Sequence, residues 1–144
     1  MFKKIYEIIA AKKYSYIDPD IGILLRVGGY WRVEVPNKIL GVSVKIYGSD
    51  RFGPNKSSLT AYKLRKDEIE SIWTQTIKSI IEETRSESGV ARFRESEFVL
   101  SEIIFGHPDK PGIEFVYAFN ITSEPNEYGA CVKEGKYECY YTLY

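Results

Sequence analysis

Between Leu59 and about Glu83 the chain carries neither proline nor glycine, and Ile69, Ile72, Trp73, Thr76, Ile77 and Ile80 recur at helical spacing. A segment free of both breakers, with apolar groups every three or four residues, lays a single stripe along an α-helix and must bury that stripe against something. Asp67 and Glu70 stand at capping-box spacing. The pattern therefore fits one long helix, or a short helix feeding a long one near Asp67.

What surrounds that segment reads as strands. IGILLRV, the Gly28-Gly29 pair and YWRVEV form a hairpin signal in which Trp31, Val33 and Val35 alternate with charged residues. A third strand follows from Leu40 to Tyr47, and the polar run Gly48 to Ser58 is a loop. Beyond the linker RSESG come EFVLSEIIF, IEFVYAFNI, and a hairpin of ACVK and KYECYYTLY around Glu134-Gly135. The clearest strand is the second of these, where Ile113, Phe115, Tyr117, Phe119 and Ile121 share one face. At the start, Phe2 to Lys12 reads as a short amphipathic helix stopped by Asp18-Pro19-Asp20. The order is α-βββ-α-ββββ, which predicts an α+β fold: a single domain over 1–144 with an antiparallel sheet of about seven strands and one long amphipathic helix packed on it. A chain of 144 residues suffices for one core.

The final hairpin can be read to the residue. With Glu134-Gly135 as a two-residue turn, Lys133 pairs with Lys136, Val132 with Tyr137 and Ala130 with Cys139. Cys131 and Cys139 then lie on opposite faces and stay reduced. Tyr140 and Tyr144 point away from the face that holds Tyr137, Tyr141 and Leu143.

The charged fraction of 28% and hydrophobic fraction of 44% are those of a soluble globular domain. Twenty basic residues balance twenty acidic ones, so no net field attracts nucleic acid or anionic lipid. The opening MFKKIYEIIAAKKYSY is too interrupted for a signal-peptide core, and no segment is long enough to span a bilayer. With two cysteines and no disulfide framework, the expected location is cytoplasmic.

Little here assembles into catalytic chemistry. His107, the one histidine, lies in GHPDKPG with Asp109 two residues away, a pairing that reads as a solvated hairpin tip more readily than as an acid-base couple. Cys131, Cys139 and His107 do not match zinc-ligand spacing, and the carboxylate pairs Asp18/Asp20 and Glu68/Glu70 supply too few converging oxygens for a hard cation. Gly48 and Gly53 with Lys56-Ser57 lack the Walker spacing. Lys63, Arg65 and Lys66 beside Tyr62 form a basic cluster, but Asp67, Glu68 and Glu70 follow at once, as on a solvated helix face. No cofactor and no metal are expected.

Recognition residues are a different matter. Twelve tyrosines suit half-buried sheets, and the same side chain suits a binding face. Phe52 stands in the polar loop SDRFGPN beside Arg51, either as a plug over one end of the sheet or as a binding anchor. The candidate partner-binding residues are Asp50, Arg51, Phe52, Tyr140 and Tyr144.

DPDIG (Asp18 to Gly22), the aromatic strand around Trp31, the long helix and the late NITSEPNEYGACVKEGKYE resemble small uncharacterised bacterial domains whose end carries a Glu-His-Gly turn and an acidic-Gly turn. Glu127-Tyr128-Gly129 stands at the first of these, with Tyr128 in place of His, and Glu134-Gly135 at the second. Such domains look like immunity proteins of toxin systems. The resemblance implies a non-enzymatic cytoplasmic inhibitor that neutralises a bacterial toxin by direct binding, its cognate partner being that toxin, without membrane or nucleic acid. The alternatives are a small ribonuclease-like toxin or RNA-processing enzyme, and a phage or structural assembly protein.

Overall fold

A computed structural model describes residues 14–34, 39–48, 51–89, 93–107, 110–120 and 126–143. Eight strands lie side by side in chain order as one sheet: β1 (Ser15–Asp18), β2 (Gly22–Val27), β3 (Tyr30–Val33), β4 (Val44–Tyr47), β5 (Phe98–His107), β6 (Lys110–Phe119), β7 (Glu127–Lys133) and β8 (Lys136–Thr142). Two helices, α1 (Lys56–Arg65) and α2 (Ile69–Ser88), connect β4 to β5, and a 3-10 turn (Glu95–Glu97) precedes β5.

The α+β class holds, with two differences of detail. First, the sheet is mixed: β4 and β5 run parallel, while every other neighbouring pair is antiparallel. A helical crossover between adjacent strands carries the chain back to its starting end, so the strand after it runs the same way. Second, β1 is an additional strand. Asp18-Pro19-Asp20 does not stop a helix there; it turns β1 into β2, with Asp18 Oδ1 accepting the backbone N–H groups of Asp20 (2.9 Å) and Ile21 (3.1 Å). The helix expected over Phe2 to Lys12 lies outside the described residues.

The two-helix reading of the central segment is the one realised, with the break at Lys66 to Glu68. The expected stripe of α2 is buried: Ile69, Ile72, Trp73, Thr76, Ile77 and Ile80 all face the sheet. Trp73 sits among Phe98, Phe115 and Tyr117, its ring centroid 5.0 Å from that of Phe115. The buried Thr76 hydroxyl donates to the Ile72 carbonyl (2.7 Å), so its burial leaves no donor unsatisfied. Gly89 ends the helix in the left-handed region (φ 77°), its N–H donating to the Arg85 carbonyl. On the sheet, Leu24, Trp31, Ile46, Ile103, Phe105 and Phe115 complete the same core.

In the β7–β8 hairpin, Glu134 (φ 53°) and Gly135 (φ 77°) make the two-residue turn, and Lys133/Lys136 and Val132/Tyr137 pair as expected. A bulge at Glu138 then shifts the register by one residue. Cys139 pairs with Cys131 rather than Ala130, and Tyr140 takes the place opposite Ala130. Both cysteines therefore share one face, correcting the expected opposition, and no disulfide joins them.

Candidate binding surface

Because α1 and α2 pack on the side that holds Trp31 and Phe105, the residues of opposite parity form an outer face. On β2 these are Ile23, Leu25 and Val27. Ile23 is 50% exposed, and its cross-strand neighbour Ile17 is 72% exposed. Strand β2 is thus apolar on both sides, since Leu24 between them is fully buried in the core.

At one end of this face an aromatic row crosses four strands. Val27 is opposite Tyr30, Tyr30 is opposite Tyr47, and the two tyrosine rings meet edge-on at 5.8 Å. His107 closes the row from β5, its ring 6.2 Å from Tyr30 in stacked orientation and 5.6 Å from Tyr47. Strict alternation from the buried Phe105 would turn His107 toward the helices. Gly106, whose φ of 74° lies in the left-handed region, breaks the alternation beside a register shift that adds a residue to β6, and His107 stands on the outer face instead. Gly106 also admits α1, because a Cβ there would lie 2.0 Å from the Ser58 Oγ. His107 is therefore a half-buried member of an aromatic cluster and not a solvated tip; Asp109 lies outside the described residues.

Ion pairs lie between the exposed isoleucines and the aromatic row. Arg32 donates to Glu34 (2.8 Å) and Lys45 to Glu102 on the row next to the tyrosines. Immediately after Tyr47, the Gly48 N–H bonds the Gly29 carbonyl (3.1 Å) and the chain enters the loop that carries Phe52. That loop is pressed against β1, where a Cβ on Gly53 would come 3.0 Å from the Tyr16 ring. Phe52 is 73% exposed, with the Arg51 guanidinium 4.9 Å above its ring. So exposed a ring plugs nothing; it is an outward aromatic beside a cation.

Of the five residues singled out from sequence, Arg51 and Phe52 stand on this end of the molecule, while Asp50 and Tyr144 lie outside the described residues. Tyr140 is not outward. The Glu138 bulge turns it to the helix side, where it lines a cavity of about 40 Å³ with Ile80, Tyr117 and Tyr128. Sequence reasoning missed Ile17, Ile23, Tyr30, Tyr47 and His107. The legible signal was IGILLRV, whose apolar residues occupy both parities.

The basic cluster of α1 is engaged in structure. Lys63 Nζ bridges Asp18 (2.8 Å) and Asp20 (3.2 Å), tying α1 to the β1–β2 turn, and Arg65 pairs with Glu68 (3.1 Å). Burial pushes the Asp18 carboxyl up, but the Lys63 ammonium and the two backbone N–H donors outweigh it and hold its pKa below the usual value. A second concavity of about 260 Å³ lies between α1 and the β7–β8 turn, floored by Phe105, Ile113 and Val132 with Arg65 at its rim. Among the described residues no three His, Cys, Asp or Glu side chains are grouped to hold a metal, and no helix is long and apolar enough to cross a membrane.

Compared with family models, curated proteins and solved structures, the chain matches none.

Proposed function

We propose that this chain is a non-enzymatic protein-binding domain, an immunity-type inhibitor that neutralises a bacterial toxin in the cytoplasm by direct occlusion. The observation that carries the binding role is the outer face of β1 to β5, where exposed Ile17 and Ile23 connect through Leu25 and Val27 to the Tyr30–Tyr47–His107 row, with the Arg32–Glu34 and Lys45–Glu102 pairs set in the angle between the two. Exposed apolar and aromatic side chains beside Arg are the groups that anchor protein interfaces and carry most of their energy. Exposed Phe52 under Arg51 belongs to a loop that rests on Tyr16 at the helix side of the same sheet end, so it is a separate outward aromatic and not part of this face. The toxin as partner rests on the resemblance of DPDIG and the NEYGACVKEGKYE segment to immunity-type domains.

The test is a toxin encoded beside this gene. Co-expression restores growth of cells carrying the toxin, and calorimetry of the two purified proteins shows one-to-one binding. Absence of both rescue and binding overturns the toxin assignment. RNA cleavage by the purified chain, lost on changing Lys63, Arg65 and Lys66, would replace the inhibitor with a ribonuclease.

A further inference from the structure

We infer that Cys131 and Cys139 are an oxidisable pair, placed to close a cross-strand disulfide between β7 and the edge strand β8. The two residues are direct register partners in an antiparallel ladder. Such partners have Cα atoms about 4.5 to 5.5 Å apart, within the roughly 4.4 to 6.8 Å that a disulfide spans. Their side chains stand on the same face, since paired residues always do. The Glu138 bulge creates this relation: an unbulged ladder continuing from Val132/Tyr137 sets Cys139 opposite Ala130. Cys139 is exposed and Cys131 half-buried, so an oxidant meets Cys139 first.

With a peroxide as oxidant the chemistry balances in two steps. The Cys139 thiolate attacks one peroxide oxygen, breaking the O–O bond and giving a sulfenic acid and hydroxide. The Cys131 thiolate then attacks the sulfenic sulfur, forming the S–S bond and expelling a second hydroxide. Two thiols lose two electrons and one peroxide takes them up. The bond ties edge strand β8, which otherwise meets the sheet along β7 alone, to its neighbour by a covalent link. This inference is independent of which partner the outer face binds.

The full chain treated with one equivalent of hydrogen peroxide tests it. Both thiols disappear together in a thiol titration of the denatured protein, the mass falls by two hydrogens, and dithiothreitol restores both. Trypsin cuts after Lys133 and Lys136, separating the two cysteines, so the linked peptide identifies the bond. A thiol-free sulfenic acid probe labels Cys139 in the Cys131→Ser variant but little in the wild type, where Cys131 consumes the intermediate. Equal labelling of Cys139 in both proteins, or disulfides linking two chains in place of the internal one, overturns the pairing.

Discussion

Asp18 illustrates how a single side chain can hold elements together. Its carboxylate accepts two backbone N–H groups of the β1–β2 turn and receives the Lys63 ammonium from α1. Asp18→Ala removes a carboxylate that accepts two backbone N–H groups and pairs with Lys63, and the expected cost is about 1 to 3 kcal/mol in a denaturant titration. The pH dependence follows from the lowered folded-state pKa. The contribution of Asp18 is complete above its unfolded value near 3.9 and is lost as pH falls through the lower folded value. Lys63 acts in the opposite sense: its hydrogen bond to Asp18 raises its pKa, so its contribution is complete below about 10.4 and fades as pH rises through the folded value. Between those limits both are charged. The wild type therefore loses more stability than Asp18→Ala between pH 5 and strong acid; parallel curves for the two proteins would show that the bridge is not the source.

The elements draw their stability from the α2–sheet contact. Trp73 fills the space between Phe98, Phe115 and Tyr117, and its 7% exposure marks it as core. Trp73→Ala is expected to cost about 3 to 5 kcal/mol, the lost transfer energy plus a cavity that rigid neighbours cannot close. An unchanged unfolding midpoint would contradict the helix register. Tyr137 of β8 donates its hydroxyl to Glu83 of α2 and so clamps the edge strand to the helix. Burial and the neighbouring carboxylate both hold that phenol protonated, well above its usual pKa, so the clamp persists through the neutral range.

At the scale of the whole molecule one face of the sheet packs the helices, while on β1 to β4 the other presents exposed Ile17, Ile23 and Val27 beside the half-buried Tyr30 and Tyr47. An occluding partner buries about 800 Å² on this side, with anchors near the centre. Alanine at Ile23, Tyr30 or Tyr47 is expected to weaken a toxin complex by about 2 kcal/mol, near thirtyfold in affinity. His107→Phe keeps the ring and removes both nitrogens, so binding stays within a few-fold, whereas an acid-base role would show as a loss of about 10²- to 10⁴-fold in activity. Unchanged affinity in all three alanine variants, with the fold intact, would move the interface elsewhere.

Local pattern was enough for the elements themselves. The apolar spacing of Ile69 to Ile80 identified the buried face of α2, Glu134-Gly135 identified the turn of the last hairpin, and Ile113, Phe115, Tyr117 and Phe119 identified the core side of β6. Each follows from backbone geometry that a few neighbouring residues specify. What the tertiary structure decided are matters of parity and neighbourhood. The left-handed Gly106 turned His107 outward, and the extra residue at Glu138 turned Tyr140 inward and set Cys139 opposite Cys131. A bulge inverts every side chain beyond it, yet it arises from how two strands pair across a hairpin, so alternation within one strand does not reveal it. The parallel β4–β5 contact has the same origin, because it depends on where the crossover through α1 and α2 sets the chain down. The exposed face of β2 was apolar in the sequence all along; only the packing of both helices on the opposite side left it open.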